Sequence, residues 1–418
     1  MNDYQVIVIG GGPAGMAAAL AAHDAGARTL LIEREARLGG VLKQCIHDGF
    51  GLLRFQEALT GPEYADRDRE AVEARDIETL TQTFVTRIEK SDSGFRLTAV
   101  NRQGLHYFET RALVLATGCR ERTARQVAIH GTRPSGILTA GTAQYYVNLL
   151  GQMPTRRCLI LGSGDIGLIM ARRLTLEGAQ VLGVYEAKSR PSGLARNLHQ
   201  CLDDFDIPLH LSSTVTRVLG EDRLTAVEVA RVDQSLRPIP GTESVIECDC
   251  LILSVGLIPE NELAESLEIR LDPASLGPVC DQEGMTSLEG VFSCGNALHV
   301  NDLVDYVSQS GQAAGRAAAL YQPGPRTCLT LEKGQALQTL VPQTIRLETL
   351  GPETVFYFRS REDWGKSALV IRLNGQEVAR KAYPALHPPQ MESLALDLAA
   401  WDLEPDSRLT FDIEGRPL

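Results

Sequence analysis

The chain has nine cysteines in 418 residues, yet no two of them stand at Cys-x-x-Cys spacing. They run from Cys45 to Cys328 as an odd set, without the pairing of a disulfide framework or the short spacings of a zinc site. No metal site is expected, and this usage fits the reduced thiols of a cytoplasmic protein. Long apolar runs are missing too, since none approaches the roughly 18 residues of a membrane span. Positive charge is in deficit: 41 Lys and Arg stand against 53 Asp and Glu, for a net charge of −12. That argues against nucleic acid and anionic membranes as main partners. A strand-like run begins within four residues of the N-terminus, so neither a signal nor a transit peptide is expected.

What is present describes an ordinary globular protein, 44% hydrophobic, with a mean hydropathy of −0.08. At 418 residues two or three domains are expected, because one core does not serve that length.

The opening stretch organises the rest. The β-branched run Val6-Ile7-Val8-Ile9 leads directly into Gly-x-Gly-x-x-Gly, carried by Gly10, Gly12 and Gly15. An Ala-rich helix is predicted over residues 14–25, with Gly26 ending it. A second apolar strand, Thr29-Leu30-Leu31-Ile32, then closes on Glu33. Gly10 makes the tight turn, Gly12 lets backbone N–H groups approach a pyrophosphate, and Gly15 allows close helix–strand packing. The helix N-terminus favours the phosphate charge, and Glu33 is placed to hold the hydroxyls of an adenosine ribose. Strand, helix, second strand and acid together make a dinucleotide site.

Past Glu33, the paired Gly39-Gly40 would let backbone pass close to a bound cofactor. Cys45 and His47 follow. A thiol beside a His can act as nucleophile or redox centre. The alternative is a buried small apolar Cys with a His packed near the cofactor. No second cysteine lies nearby to form a dithiol. Gly61-Pro62-Glu63 starts a polar helix, and residues 77–109 read as a β-meander ending in Ala112-Leu113-Val114-Leu115-Ala116-Thr117-Gly118. So continuous an apolar run suits a central strand of a parallel sheet.

About 150 residues after the first glycine turn the pattern returns as Cys158-Leu159-Ile160-Leu161-Gly162-Ser163-Gly164-Asp165-Ile166-Gly167. A helix over 166–177 and a strand ending at Glu186 follow. Glu186 would accept from a ribose 2′-OH and repel a 2′-phosphate, favouring NAD(H) over NADP(H), although Lys188 and Arg190 could meet that phosphate. A meander over 208–232 leads to Cys250-Leu251-Ile252-Leu253-Ser254-Val255-Gly256. Gly290-Val291-Phe292-Ser293-Cys294-Gly295-Asn296 and a helix over 305–319 come next. The fold class is therefore α/β, with two Rossmann-like dinucleotide-binding domains.

This order of motifs over roughly residues 1–325 resembles the two-dinucleotide-binding-domain flavoproteins, the pyridine nucleotide–disulfide oxidoreductase superfamily. The resemblance implies FAD on the first fold and NAD(P)H on the second, with hydride passing between nicotinamide and flavin. It implies a discontinuous FAD domain, 1–122 with 265–325, and an NAD(H) domain over 123–264. FAD contacts carried over in this way are Gly10, Gly12, Pro13, Ala14, Gly15, Glu33, Arg34, Gly40, Val85, Ala116, Thr117, Gly118, Gly295, Asn296 and Gln309. For NAD they are Gly162, Gly164, Asp165, Ile166, Gly167, Glu186 and Gly256. Two departures stand out. Asn296 takes the place of the usual Asp, and both family disulfides are missing, which disfavours thioredoxin- or glutathione-reductase activity.

Gly40-Val41-Leu42-Lys43-Gln44-Cys45-Ile46-His47-Asp48-Gly49-Phe50-Gly51, with Leu59-Thr60-Gly61-Pro62-Glu63-Tyr64, is similar to FAD subunits found beside anaerobic glycerol-3-phosphate-dehydrogenase-like flavoproteins. Arg133-Pro134-Ser135-Gly136-Ile137-Leu138-Thr139-Ala140-Gly141 is similar to flavin subunits of opine oxidase, hydrogen cyanide synthase and heterotetrameric sarcosine oxidase. These likenesses imply a small-molecule substrate, partner dehydrogenase subunits and a homo- or hetero-oligomer.

Pro323-Gly324-Pro325 marks a linker, and residues 326–418 change character. Candidate strands at 355–358, 367–372 and 394–397, with a turn at Asn374-Gly375, predict a small β-sandwich. Three functional readings follow. The first is an NADH-linked FAD oxidoreductase, the flavin subunit of a larger dehydrogenase. The second is a single-Cys NADH oxidase or peroxidase using Cys45, and the third a non-catalytic electron-transfer or assembly subunit.

Overall fold

Val6, Ile7 and Val8 are fully buried because the strand they form, Asn2–Ile9, has a parallel neighbour on each edge and apolar packing on each face. The computed structural model describes residues 2–417. On one edge Val6 pairs with Thr29 of strand Thr29–Ile32, and on the other with Ala112 of strand Gly104–Leu115. The sheet runs in the order 78–80, 29–32, 2–9, 104–115, 94–101 and 84–91.

Strand Gly104–Leu115 is shared between two neighbours along its far edge. Its first part pairs antiparallel with Gly94–Asn101, which builds the expected meander. Its last residues, from Leu113, pair parallel with Val291–Ser293 and so bring the late segment back to the first fold. Helix Pro13–Asp24 lies against helix Val304–Leu320. A Cβ on Gly311 or Gly315 would lie 2.1 Å from the carbonyl oxygen of Ala14 or Ala18. The Ala-rich character of the first helix reflects this close backbone approach.

The chain folds as two units, residues 1–119 with 259–418, and residues 120–258. These limits differ from the expected 122/123 and 264/265 for a local reason. Ala264 and Ile269 are buried in the first unit's core with Ile7 and Leu97, and Thr117 Oγ1 donates to the Glu260 carbonyl at 2.6 Å. The second unit carries a five-stranded parallel sheet in the order 137–139, 250–253, 157–161, 180–185 and 209–210. Helix Asp165–Leu176 packs on it through Leu168, Met170 and Ala171. A second sheet orders 130–131, 213–219, 226–231 and 244–247.

The tail is a sandwich of two sheets, one ordered 332–333, 409–417, 364–373 and 376–383, the other 337–341, 354–360 and 392–396. Phe356 and Phe358 of the smaller sheet share one core with Leu369, Ile371 and Phe411 of the larger. The tail thus has a core of its own, and it lies within the first unit. Tyr357 Oη donates to Gln309 Oε1 at 3.2 Å, Arg359 pairs with Asp302, and Met391 N–H donates to Asp302 at 2.6 Å. Gln282 and Arg346 exchange two further bonds of 2.8 Å. Among the described residues, no helix is long and apolar enough to cross a membrane.

His299 sits in this junction, buried, with its ring 5.3 Å from that of Tyr357. Burial, reinforced by the Arg359 cation, pushes its pKa down from 6.5 to about 4. The folded state therefore favours the neutral ring. The stabilisation is full above pH 6.5 and is lost as pH falls toward 4, on the order of 3 kcal/mol. Thermal unfolding of wild type and His299→Gln between pH 4.5 and 7 checks this. The variant's stability should fall less steeply on acidification, and an equally steep fall would contradict the assignment.

Candidate dinucleotide sites

The three glycines of the first turn divide the work as their spacing predicts. A Cβ on Gly10, whose φ is +109°, would lie 2.3 Å from the Ala116 carbonyl oxygen. One on Gly15 would lie 1.7 Å from that of Gly10. These two are packing constraints. A Cβ on Gly12 would meet only the Gly40 Cα at 3.9 Å, and one on Gly118 would meet nothing within 4 Å. A cradle of bare backbone is thus open at Gly12 and Gly118, as a pyrophosphate and its adjoining chain require.

The helix beginning at Pro13 has neither a side-chain cap nor an acid in its first turn. Helix Gly61–Ala74, by contrast, is closed by a capping box of Thr60 and Glu63. The first turn of helix Pro13–Asp24 is thus left without a side-chain cap, an arrangement suited to an anion. Glu33, buried, accepts the Gly11 N–H at 2.6 Å on one oxygen and the Glu35 N–H at 2.7 Å on the other. A carboxylate accepts about four hydrogen bonds, so about two positions remain for ribose hydroxyls.

The other first-site candidates are placed unequally. Gly40, at φ +54°, brings backbone against Gly12, and Gly295 packs on Ala14. Ala116 is buried behind Gly10, while Val85 is buried in the core beneath the sheet and offers only backbone. Arg34 pairs with Glu260 at 3.0 Å. Asn296 Oδ1 accepts from the Asn301 N–H at 3.0 Å, and its Nδ2 lies 3.5 Å from Cys119 Sγ. The side chain of Gln309 is turned to Tyr357 of the tail.

Cys45 is buried and donates to the Val41 carbonyl at 3.4 Å. Burial pushes its thiol up to about 12, far from the thiolate a nucleophile needs. His47 is half-buried with its ring 5.0 Å from Phe50. Sequence reasoning passed over Cys119, whose only signal was its place directly after the Thr-Gly turn. It also passed over Asp305, buried at the first turn of helix Val304–Leu320 and accepting the Leu53 N–H at 3.2 Å.

The second turn repeats the division of labour. A Cβ on Gly162 would lie 2.0 Å from the Ser254 carbonyl oxygen and one on Gly167 2.7 Å from that of Gly162, while one on Gly164 would meet only Ser254 Oγ at 3.7 Å. Gly256, at φ +104°, turns the chain beside Arg122. Ile166 is half-buried against the sheet. Asp165 Oδ1 accepts from Leu194 N–H at 2.9 Å and Asn197 Nδ2 at 2.6 Å. Glu186, buried, receives the Ser163 N–H and hydroxyl, the Ser192 hydroxyl and the Lys188 N–H. Lys188 and Arg190 are exposed.

The family model for pyridine nucleotide-disulphide oxidoreductases matches residues 4–318. The chain belongs to this family. Its members are FAD-dependent oxidoreductases of pyridine nucleotides, and the cradles at Gly12 and Gly164 suit the FAD and NAD(P)H they bind. The chain is 25% identical to an opine oxidase subunit of Agrobacterium tumefaciens, a match covering 76% of this chain and 65% of that protein. It is 28% identical to hydrogen cyanide synthase subunit HcnB of Pseudomonas aeruginosa, over 76% and 70%. Thioredoxin reductase of T. acidophilum shares the fold, with a TM-score of 0.63 at 20% identity over 77% of this chain and 99% of the other. No disulfide joins any of the nine cysteines in this structure, and Cys158 and Cys250 lie side by side on neighbouring strands.

Two substitutions separate packing from binding. Gly12→Val should leave a folded protein without FAD, because its side chain enters the open cradle. Gly15→Ala should fail to fold, because it drives a methyl group into the Gly10 carbonyl. Circular dichroism and bound flavin measure both, and a Gly12→Val protein with stoichiometric FAD would refute the placement. Alkylation with iodoacetamide should label the exposed Cys328 and spare Cys45, as mass spectrometry of the native protein would reveal.

Proposed function

We propose that this chain is the FAD-carrying, pyridine-nucleotide-linked subunit of a multi-subunit dehydrogenase acting on a small molecule of the opine, amino-acid or glycerol-3-phosphate type. The observation that carries the reading is the presence, in one chain, of two glycine turns each open at its middle glycine. When bound, the flavin supplies hydride acceptance at N5 from the nicotinamide. The chain's own residues have other tasks. The N-terminus of helix Pro13–Asp24 would face the pyrophosphate charge, and Glu33 would hold the ribose through its unused acceptor positions. Gly12 and Gly118 leave room for the ligand. No side chain is assigned as acid or base.

The subunit reading draws on two relatives that are themselves subunits, those of opine oxidase and hydrogen cyanide synthase. The chain spans 65% of the first, so the assembly and its substrate rest on this proposal. A peroxidase cycle on Cys45 is disfavoured by burial of its thiol.

Anaerobic titration of the purified flavoprotein with NADH and then NADPH is the test. Loss of the flavin's visible absorbance is expected with at least one of them. An unchanged spectrum with both would sink the oxidoreductase reading. The reduced protein should not turn over thioredoxin, glutathione disulfide or lipoamide at ordinary enzymatic rates of about 1 per second or more.

A further inference from the structure

Glu33 and Glu186 occupy corresponding places in the two folds, each after the second strand of its unit and each buried. Their surroundings differ. Glu33 takes two backbone N–H groups, one on each oxygen. Glu186 takes four donors. Oε2 accepts from Ser163 N–H at 3.0 Å, Ser163 Oγ at 2.6 Å and Ser192 Oγ at 3.2 Å, and Oε1 accepts from Lys188 N–H at 3.0 Å. A carboxylate accepts about two hydrogen bonds on each oxygen, so Oε2 is fully taken and only Oε1 keeps a position, whereas Glu33 keeps one on each oxygen. The Ser163 N–H reproduces the Gly11 N–H of the first fold, whereas the two serine hydroxyls have no counterpart there. They are the donors that a ribose diol would otherwise supply.

The same contacts fasten a loop. Ser192 N–H donates to Ser163 Oγ at 2.9 Å, and Asp165 Oδ1 holds Leu194 N–H and Asn197 Nδ2. A Cβ on Gly193 would lie 2.8 Å from the Ser163 carbonyl oxygen. Residues 187–197 are thus drawn onto the glycine turn from three points: Glu186, Ser163 and Asp165.

We propose that Ser163 and Ser192 hold the acceptor positions on Glu186 that a ribose diol needs, so that Glu186 fastens the 187–197 loop and does not read the 2′ position of a bound adenine dinucleotide. This rests on the reading of the second fold as a dinucleotide site. It assigns Glu186 as a positioning residue and Ser192 as the residue whose removal creates ribose recognition. The sequence expectation had Glu186 selecting NAD(H). Its Oε2, filled by three donors from within the chain, leaves a ribose diol at most the remaining position on Oε1, and that is the reason to assign the selection elsewhere.

Calorimetric titration of the FAD-loaded protein with ADP-ribose and with 2′-phospho-ADP-ribose tests this without flavin reduction. Glu186→Gln loosens the loop and should alter both affinities together, keeping their ratio within about threefold. Ser163→Ala combined with Ser192→Ala should tighten ADP-ribose roughly tenfold or more, as one or two charged hydrogen bonds become available, and leave the 2′-phosphate ligand behind. Ser192→Ala alone should move the same way, which guards against failure of the double variant to fold. The proposal is overturned if Glu186→Gln weakens ADP-ribose alone by about tenfold. It is equally overturned if the serine variants bind ADP-ribose no tighter than wild type, including no binding by any of them. A gain in the serine variants alongside a flavin that neither NADH nor NADPH bleaches would retain this assignment and remove the oxidoreductase reading.

Discussion

The structure depends on one close approach. The Gly10 carbonyl lies where a Cβ on residue 15 would be, 1.7 Å from that position, so strand Asn2–Ile9 and helix Pro13–Asp24 meet backbone to backbone. That contact sets the direction in which the helix N-terminus points, and with it the location of the anion cradle. The same helix then presents Ala14 and Ala18 to Gly311 and Gly315. Helix Val304–Leu320 is placed by the same rule, small residue against small residue. The cradle is a by-product of tight packing on every side except at Gly12 and Gly118.

Much of this was legible in the sequence, because the features concerned are short-range. A β-branched run, glycines at fixed offsets and an acid some twenty residues later are local, and both turns stand where they were expected. Glycine's lack of a Cβ is a property of single positions, so the pattern reports it directly. The meander over 77–109 and the Thr-Gly turn at 117–118 were equally visible. Side-chain direction was not. Gln309 turns to Tyr357, 48 residues along, and Asn296 to Asn301 and Cys119, 177 residues back. Partners of that kind are fixed by the finished fold. In the tail, strand Gln376–Tyr383 escaped notice because it is an edge strand, polar and largely exposed, with little alternation to read. Strand Leu337–Val341 is short and was missed as well.

The two buried acids show how a shared motif can diverge in chemistry. Desolvating a carboxylate is costly unless hydrogen bonds replace its water. Glu33 is served by two backbone groups and keeps capacity on both oxygens, whereas Glu186 takes four donors from its own chain, three of them on Oε2. Serine at 163 in place of the glycine at 11, together with a serine in the following loop, makes the difference. A motif search sees the same acid at the same offset in both cases. Only the count of donors separates them.

The division of the first unit has a consequence for the order in which the protein matures. Strand Val291–Ser293 and helix Val304–Leu320 complete a sheet begun at residue 2, so the emerging chain holds the first six strands of that sheet without their closing partners. The unit spanning 120–258 is contiguous and leaves the ribosome whole well before then. During synthesis the apolar face around Val114 waits for a segment nearly two hundred residues downstream, and Val6 and Val8 wait longer still, with the loop-closure entropy that such separation entails. The insertion that supplies a second nucleotide fold thereby makes the founding fold close after the inserted one, and nascent chains stalled before residue 320 would present that open face to chaperones.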